Sequence, residues 1–265
     1  MKREEISEKA NKENSEAKDK KKKDNRILNI IMIFAICIIV YGIWSVISLK
    51  TQYKKAGEEY EKLRKTMSIS SEENLLDKDA PNLNIDLKQL NKENPDTVGW
   101  IYYPCLNINY PIMKDEDNTY YIKHTFSGDK NDIGSIFLDC MASEDFTDDN
   151  TFLYGHNAMD GSMLGSLKDI REVGVVEKNP YFWIYTENGW QKYSIFSYHD
   201  AKKTDNTFKI KFDNEEEHKA FLDHIVELSE EKIDVKVSEK DKIVTLATCT
   251  SNSSIRFVVH GVEIK

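Results

Sequence analysis

Thr245-Leu246-Ala247-Thr248-Cys249 and, after six intervening residues, Arg256-Phe257-Val258-Val259-His260-Gly261 form the stretch from which the rest of the chain can be read. Residues 243–248 are β-rich, 250–254 are turn formers, and 255–264 are strand-like again. The pattern predicts two strands joined by a tight connection, with a cysteine ending the first and an arginine opening the second. If the strands pair, a thiol and a guanidinium share one rim of a sheet. A fixed positive charge beside a thiol lowers its pKa and can hold a developing oxyanion. Taken alone, a strand cysteine is more often a small buried hydrophobe, so the weight falls on the surrounding chain.

Outward from this pair the sequence keeps a strand character. Residues 99–103 and 106–112 read as short strands around Pro104, 133–138 as a third and 150–154 as a fourth. Residues 181–185 and 190–197 flank Glu187-Asn188-Gly189, a hairpin signal. With the terminal pair this makes seven or eight strands in about 165 residues, which predicts a mainly β fold with peripheral helices, a closed barrel of about eight strands. Helices are expected at 162–170 and at 214–231. The second carries Phe221, Leu222, Ile225 and Leu228 on one stripe and acidic residues at its start, where the helix dipole favours them. A short helix over 85–91 should stop at Asn94-Pro95.

The N-terminal part is built differently. Residues 1–26 hold almost no large apolar side chain and end in Lys20-Lys21-Lys22-Lys23 and Arg26, a composition expected to stay unstructured. Residues 27–49 are nearly all apolar, with Asn29, Ser45 and Ser48 the clearly polar members. At ~1.5 Å per residue they span about 33 Å, the thickness of the hydrocarbon core. A buried core helix apolar on every face does not suit so small a domain, and no small-x-small cleavage site follows Val46. The reading is an uncleaved signal anchor. The preceding basic cluster keeps the N-terminus cytoplasmic and residues from about 50 onward outside the cell. Residues 50–93 are then a helical stalk and linker. In it Tyr53, Ala56, Tyr60 and Leu63 recur at helical spacing on a face that packs lightly on the domain, and residues 68–84 are polar. The barrel is expected over 94–265.

The chain carries a formal charge of −9 over 265 residues, and removing the basic tail leaves about −12, which excludes a nucleic-acid partner. Cys37, Cys105, Cys140 and Cys249 show neither CxxC nor zinc spacing. Cys105 and Cys140 could pair, but nothing requires it. No HExxH or comparable cluster calls for a metal, and no cofactor is expected. Asp145, Asp148 and Asp149 read as a solvated loop.

Phe152-Leu153-Tyr154-Gly155-His156-Asn157 places a histidine just past a strand end, where Gly155 and Asn157 let the chain turn. His218 and His224 fall in a charged helix and read as solvated, His124 and His199 in polar loops, and His260 within a strand. His156 therefore supplies the proton-transfer group that a rim cysteine and arginine lack. A papain-like order is excluded, because there the cysteine precedes the histidine.

With these residues in view, Thr245-Leu246-Ala247-Thr248-Cys249 resembles the TLxTC signature of sortases, and Arg256-Phe257-Val258-Val259 resembles that family's arginine strand. Leu153-Tyr154-Gly155-His156-Asn157 with the following residues 161–167 is similar to class B members. So are Asn107-Ile108-Asn109-Tyr110-Pro111 and Gly134-Ser135-Ile136-Phe137-Leu138-Asp139. The resemblance runs from about residue 94 to the C-terminus, and the N-terminal anchor and the helix before the last two strands match too. The connection between Cys249 and Arg256 is short compared with some relatives, which alters the groove floor. No lid or second span marks a pilin-polymerising class C enzyme.

The resemblance implies a cysteine transpeptidase of a Gram-positive bacterium. Cys249 would attack the threonine carbonyl of a C-terminal sorting signal on a surface protein. His156 would protonate the leaving amine and deprotonate the incoming one, an amine of the peptidoglycan cross-bridge. Arg256 would orient the substrate and stabilise the oxyanion. Two alternatives stand beside it: a membrane-tethered, non-catalytic binding barrel, and a hydrolytic cysteine peptidase with the same three residues.

Overall fold

The computed structural model describes residues 2–67, 80–249 and 254–264, with backbone alone for residues 2–27 and for Cys249. Its strands are β1 (Thr97–Tyr103), β2 (Ile108–Met113), β3 (Ile136–Leu138), β4 (Asn150–Gly155), β5 (Tyr181–Thr186), β6 (Gly189–Lys202), β7 (Ile243–Cys249) and β8 (Ile255–Ile264). They close into a barrel in the order β1-β2-β3-β4-β7-β8-β6-β5, with β5 returning to β1. The β2–β3 and β4–β7 seams are parallel and the others antiparallel. The expected eight-stranded barrel is thus observed. Each strand has a hydrogen-bonded neighbour on both sides, and the inward residues Ile101, Ile112, Leu153, Leu246, Phe257 and Val259 share one core. The β5–β6 hairpin turns at Glu187-Asn188, with Gly189 at φ 94°, a left-handed conformation that suits glycine.

The helices are α1 (Lys2–Met67), α2 (Leu87–Glu93), the short α3 (Val175–Lys178) and α4 (Glu215–Glu227). The segment expected as a helix over 162–170 is a 3-10 helix, Gly165–Arg171. In α4 the Asn214 side chain accepts from the Glu217 N–H at 2.9 Å and caps the N-terminus. Phe221, Leu222 and Ile225 pack on Phe196, Ile243 and Val262 of the barrel. Leu228, expected on the same stripe, lies just past the helix and is exposed.

The chain divides into two compact units, Met1–Thr51 and Gln52–Lys265. In the first, α1 already runs from Lys2, so the tail expected to be unstructured is helical. Its Lys, Glu and Ala are good helix formers, and the apolar turns that follow supply the costly nucleus. The apolar run is exposed, with mean hydropathy 2.8 over its most apolar 18 residues, long and apolar enough to cross a membrane. In the second unit, the end of α1 does more than rest on the barrel. Ala56, Tyr60, Leu63 and Met67 are buried in the main core. The Tyr60 hydroxyl lies 2.9 Å from Ser135 Oγ and accepts from the Phe126 N–H at 3.2 Å. The light packing expected of this face is therefore corrected: a stripe of large side chains with a buried hydroxyl is core. Replacing Tyr60 by Phe leaves Ser135 and Phe126 short of a partner, and about 1–2 kcal/mol of stability should be lost in denaturant titration. An unchanged midpoint would show that the hydroxyl contributes nothing. The linker expected at 68–84 lies mostly outside the described residues.

Two histidines depart from expectation. His218 is buried on the barrel side of α4, its Nδ1–H donating to the Glu239 carbonyl at 2.9 Å and its ring stacked on Phe212. It sits three, four and seven residues from Phe221, Leu222 and Ile225, on one helix face. His199 is in β6 and not in a loop, because that strand runs on to Lys202. It is buried and stacks on buried His260 with ring centroids 5.3 Å apart. Burial pushes His199 down to about 4, against the pull of Asp205, Glu230 and Asp200 and helped by His224, and burial likewise holds His260 well below its ordinary value. Both are depressed in the folded chain, so the unfolded chain takes up protons first as pH falls. Stability should be full above about pH 6.5 and fall progressively toward pH 4. A urea midpoint that does not drop between pH 7 and pH 5 would contradict this.

The acidic loop is not simply solvated either. Asp148 is buried and accepts from the Ser143 N–H at 2.5 Å, and Asp149 pairs with Lys242 at 2.8 Å. Cys105 and Cys140 are free thiols.

Candidate active site

The parallel seam between β4 and β7 decides where the chemistry lies. Tyr154 pairs with Ala247 and Gly155 with Thr248, so His156 and Cys249 follow side by side at the same end of adjacent strands. Across the antiparallel β7–β8 seam, Cys249 pairs with Arg256. Residue 156, far in sequence from 249 and 256, thus meets them at one rim. The structure brings all three expected residues together. The turn formers at 250–253 lie outside the described residues.

A pocket of ≈ 260 Å³ opens at this rim, lined among others by Asn118, Ile122, Tyr154, His156, Ala247 and Arg256. His156 is half-buried, and its Nε2 lies 2.6 Å from the Ile122 carbonyl. A carbonyl only accepts, so Nε2 carries the proton and Nδ1 presents the lone pair. The Arg256 guanidinium donates from Nη1 to its neighbour's carbonyl, Ile255, at 3.1 Å.

Gly155 is needed here for space, not for a turn: its φ is not left-handed, and the left-handed residues of the following loop are Gly161 and Met163. A Cβ at Gly155 would come 2.7 Å from Cγ of the fully buried Leu164. Leu164 is tied back, its N–H donating to the His156 carbonyl at 3.1 Å. Gly155→Ala should therefore displace His156 and cost about 1–3 kcal/mol as overpacking does. Calorimetry and activity read together check this, and unaltered values in both would show that the contact gives way freely.

Sequence reasoning did not single out Tyr154, Asn118 or Asp139. Tyr154 stands on β4 two residues before His156, which follows the strand end, so period-two spacing was an available signal. Its hydroxyl donates to Asp139 Oδ2 at 3.0 Å, and burial first, with that carboxylate second, pushes the phenol above its ordinary value. Asn118 lies in the β2–β3 connection, and nothing local announces where that loop returns. No group of three or more metal-ligating side chains occurs among the described residues.

A closed mixed barrel thus carries a histidine just past β4, a cysteine at the end of β7 and an arginine at the start of β8 on one rim, and comparison with known proteins gives the family. The sortase-domain family model matches residues 101–264. Sortase B of Listeria monocytogenes is 30% identical over 238 residues, covering 86% of this chain and 94% of the relative. Sortase B of Staphylococcus aureus is 29% identical over 243 residues, covering 91% and 98%. The solved Staphylococcus aureus sortase B–substrate complex superposes with a TM-score of 0.72 at 30% identity, covering 81% of this chain and 99% of that one. Clostridium perfringens sortase B gives 0.65 at 31%, covering 68% and 100%. The chain belongs to the sortase family, whose members are cysteine transpeptidases. Within that family its relatives are class B enzymes, and it is a transpeptidase of that class.

Proposed function

We propose that the enzyme cleaves a C-terminal sorting signal after threonine and joins the surface protein to a peptidoglycan amine, with Cys249, His156 and Arg256 as the reacting set. The Cys249 thiol passes its proton to Nδ1 of His156, and the thiolate adds to the threonine carbonyl carbon, forming the C–S bond. The oxyanion that develops is met by the Arg256 guanidinium. The C–N bond then breaks, and the departing amine takes a proton from His156. The thioester that remains is attacked by the cross-bridge amine, whose proton returns to His156 as the C–S bond breaks and the thiolate leaves. With Nε2 held on the Ile122 carbonyl, Nδ1 is the atom that gives and takes the proton, and the carbonyl steadies the imidazolium. The observation that carries this reading is the register that sets Cys249 opposite Arg256 and at the end of the strand beside His156.

The same proposal includes the cellular setting. Residues 27–49 anchor the chain as a single span, the basic tail of residues 1–26 stays cytoplasmic, and the barrel faces the cell wall. The test is incubation of the enzyme in detergent with quenched fluorogenic peptides of Asn-Pro-x-Thr and x-Pro-x-Thr-Gly type, with and without an amine acceptor. Cleavage diverted to an amide by the acceptor supports the proposal. Release of a free acid at the same rate with the acceptor present would make the protein a hydrolase under these conditions and overturn it.

A further inference from the structure

Asp139 directly follows β3 and is 4% exposed. It makes no ion pair with a described residue, although an ionised carboxylate away from water is costly without compensation. Three neutral donors compensate it. Oδ2 accepts from Asn118 Nδ2 at 2.9 Å and from the Tyr154 hydroxyl at 3.0 Å, and Oδ1 accepts from the Met141 N–H at 2.9 Å. Two of these donors, Asn118 and Tyr154, line the pocket. Asn118 is also held at its other end, where Oδ1 accepts from the Cys140 N–H at 2.8 Å.

These bonds leave each group a single way to face the pocket. A donor must point at Asp139 and an acceptor at the Cys140 N–H, so the Asn118 amide cannot flip. One N–H and one lone pair remain for a ligand. Tyr154 spends its only proton on Asp139 and is left as an acceptor. One buried charge thereby sets the donor and acceptor pattern of a whole wall.

We propose that Asp139 is a positioning residue whose buried carboxylate fixes the hydrogen-bonding pattern that Asn118 and Tyr154 present to an extended peptide in the pocket. The inference rests on the peptide-transfer reading above. Asp139→Asn keeps the size but sets an NH₂ where one oxygen stood, against the Met141 N–H in one orientation and against Asn118 and Tyr154 in the other, so no orientation satisfies all three donors and the charge that orients them is gone. In a Cys249→Ala full-length background, fluorescence anisotropy with the same two peptides, fluorescein-labelled, should show affinity weakened ~10-fold or more, the scale of a lost charge-assisted bond. In the chain with Cys249 intact, KM should rise to match while kcat stays within about twofold, because the bonds lost are ground-state ones.

The exchange Asn118→Asp with Asp139→Asn separates positioning from mere support. It restores a donor facing a carboxylate and an acceptor for the Cys140 N–H, so the thermal midpoint should return toward that of the parent. A carboxylate at position 118 offers the pocket no donor, so affinity should stay low. Affinity restored together with the midpoint would reduce Asp139 to a structural residue and overturn the inference. So would Asp139→Asn binding as tightly as its parent while the unaltered enzyme cleaves the peptide. Failure of the unaltered enzyme to cleave either peptide would instead count against the peptide-transfer reading on which this inference stands.

Discussion

Transpeptidation by a Cys249→Ala chain should fall by on the order of 10⁵ or more, the scale of losing a nucleophile from an enzyme that works through a covalent intermediate. Neither His156 nor Arg256 can substitute, since one moves protons and the other offers only hydrogen bonds and charge. The other thiols are poorly placed to rescue it. Cys105 lies in a 3-10 turn between β1 and β2, and desolvation holds its thiol above the ordinary value, which leaves little thiolate to attack. Cys37 belongs to the apolar run of α1. The substitution removes a side chain from the last residue of β7 and leaves its backbone ladder to β8 intact, so the thermal midpoint should change little. The measurement is single-turnover conversion of peptide to amide, with mass spectrometry of the protein during turnover. An acyl adduct on Cys249 in the unaltered enzyme, absent from the variant, is the expected result. Retained conversion, or an adduct on Cys140, would reassign the nucleophile.

What could be read from the sequence, and what could not, follows the range of the interactions involved. The β7–β8 pair was legible because its strands are neighbours in sequence and carry strong β patterns. The β5–β6 hairpin was legible through its turn chemistry at Asn188-Gly189. The juxtaposition of His156 with Cys249 depends on a parallel seam between Asn150–Gly155 and Ile243–Cys249. No local pattern encodes a pairing across so many residues, and the family resemblance carried that step. Tyr60 and His218 depart from the sequence pattern for a related reason. A helix face bearing polar atoms reads as partly solvated unless the partner surface is known, and here that surface supplies Ser135 to one and the Glu239 carbonyl to the other. Asp139 was visible only as the end of a motif. Its meaning depends on Asn118 arriving from another loop, a contact fixed by barrel closure and by nothing in either segment alone.

Replacing His156 by alanine should lower kcat/KM by about 10²–10⁴, the usual contribution of a positioned acid–base group. The loss should fall on both half-reactions. Without it the departing amine leaves unprotonated, and the incoming amine keeps a proton that blocks attack. A burst experiment can therefore distinguish this role from that of a residue that only binds substrate. Acyl-enzyme should form slowly and, once formed, should also be slow to pass to the amine. A histidine acting in one step alone would leave the other rate untouched. Raising the amine concentration should not restore the second step, whereas an added imidazole small enough for the ≈ 260 Å³ pocket should restore part of both. The contact to Ile122 sharpens the test. A glutamine side chain at position 156 can donate to the same carbonyl and keep the loop in place, but it offers no nitrogen lone pair to take a proton. His156→Gln should thus retain the stability of the unaltered enzyme and the activity of the alanine variant. If it were nearly as active as the unaltered enzyme, orientation and not proton transfer would be the work of this residue, and the proton would have to travel through another group at the rim.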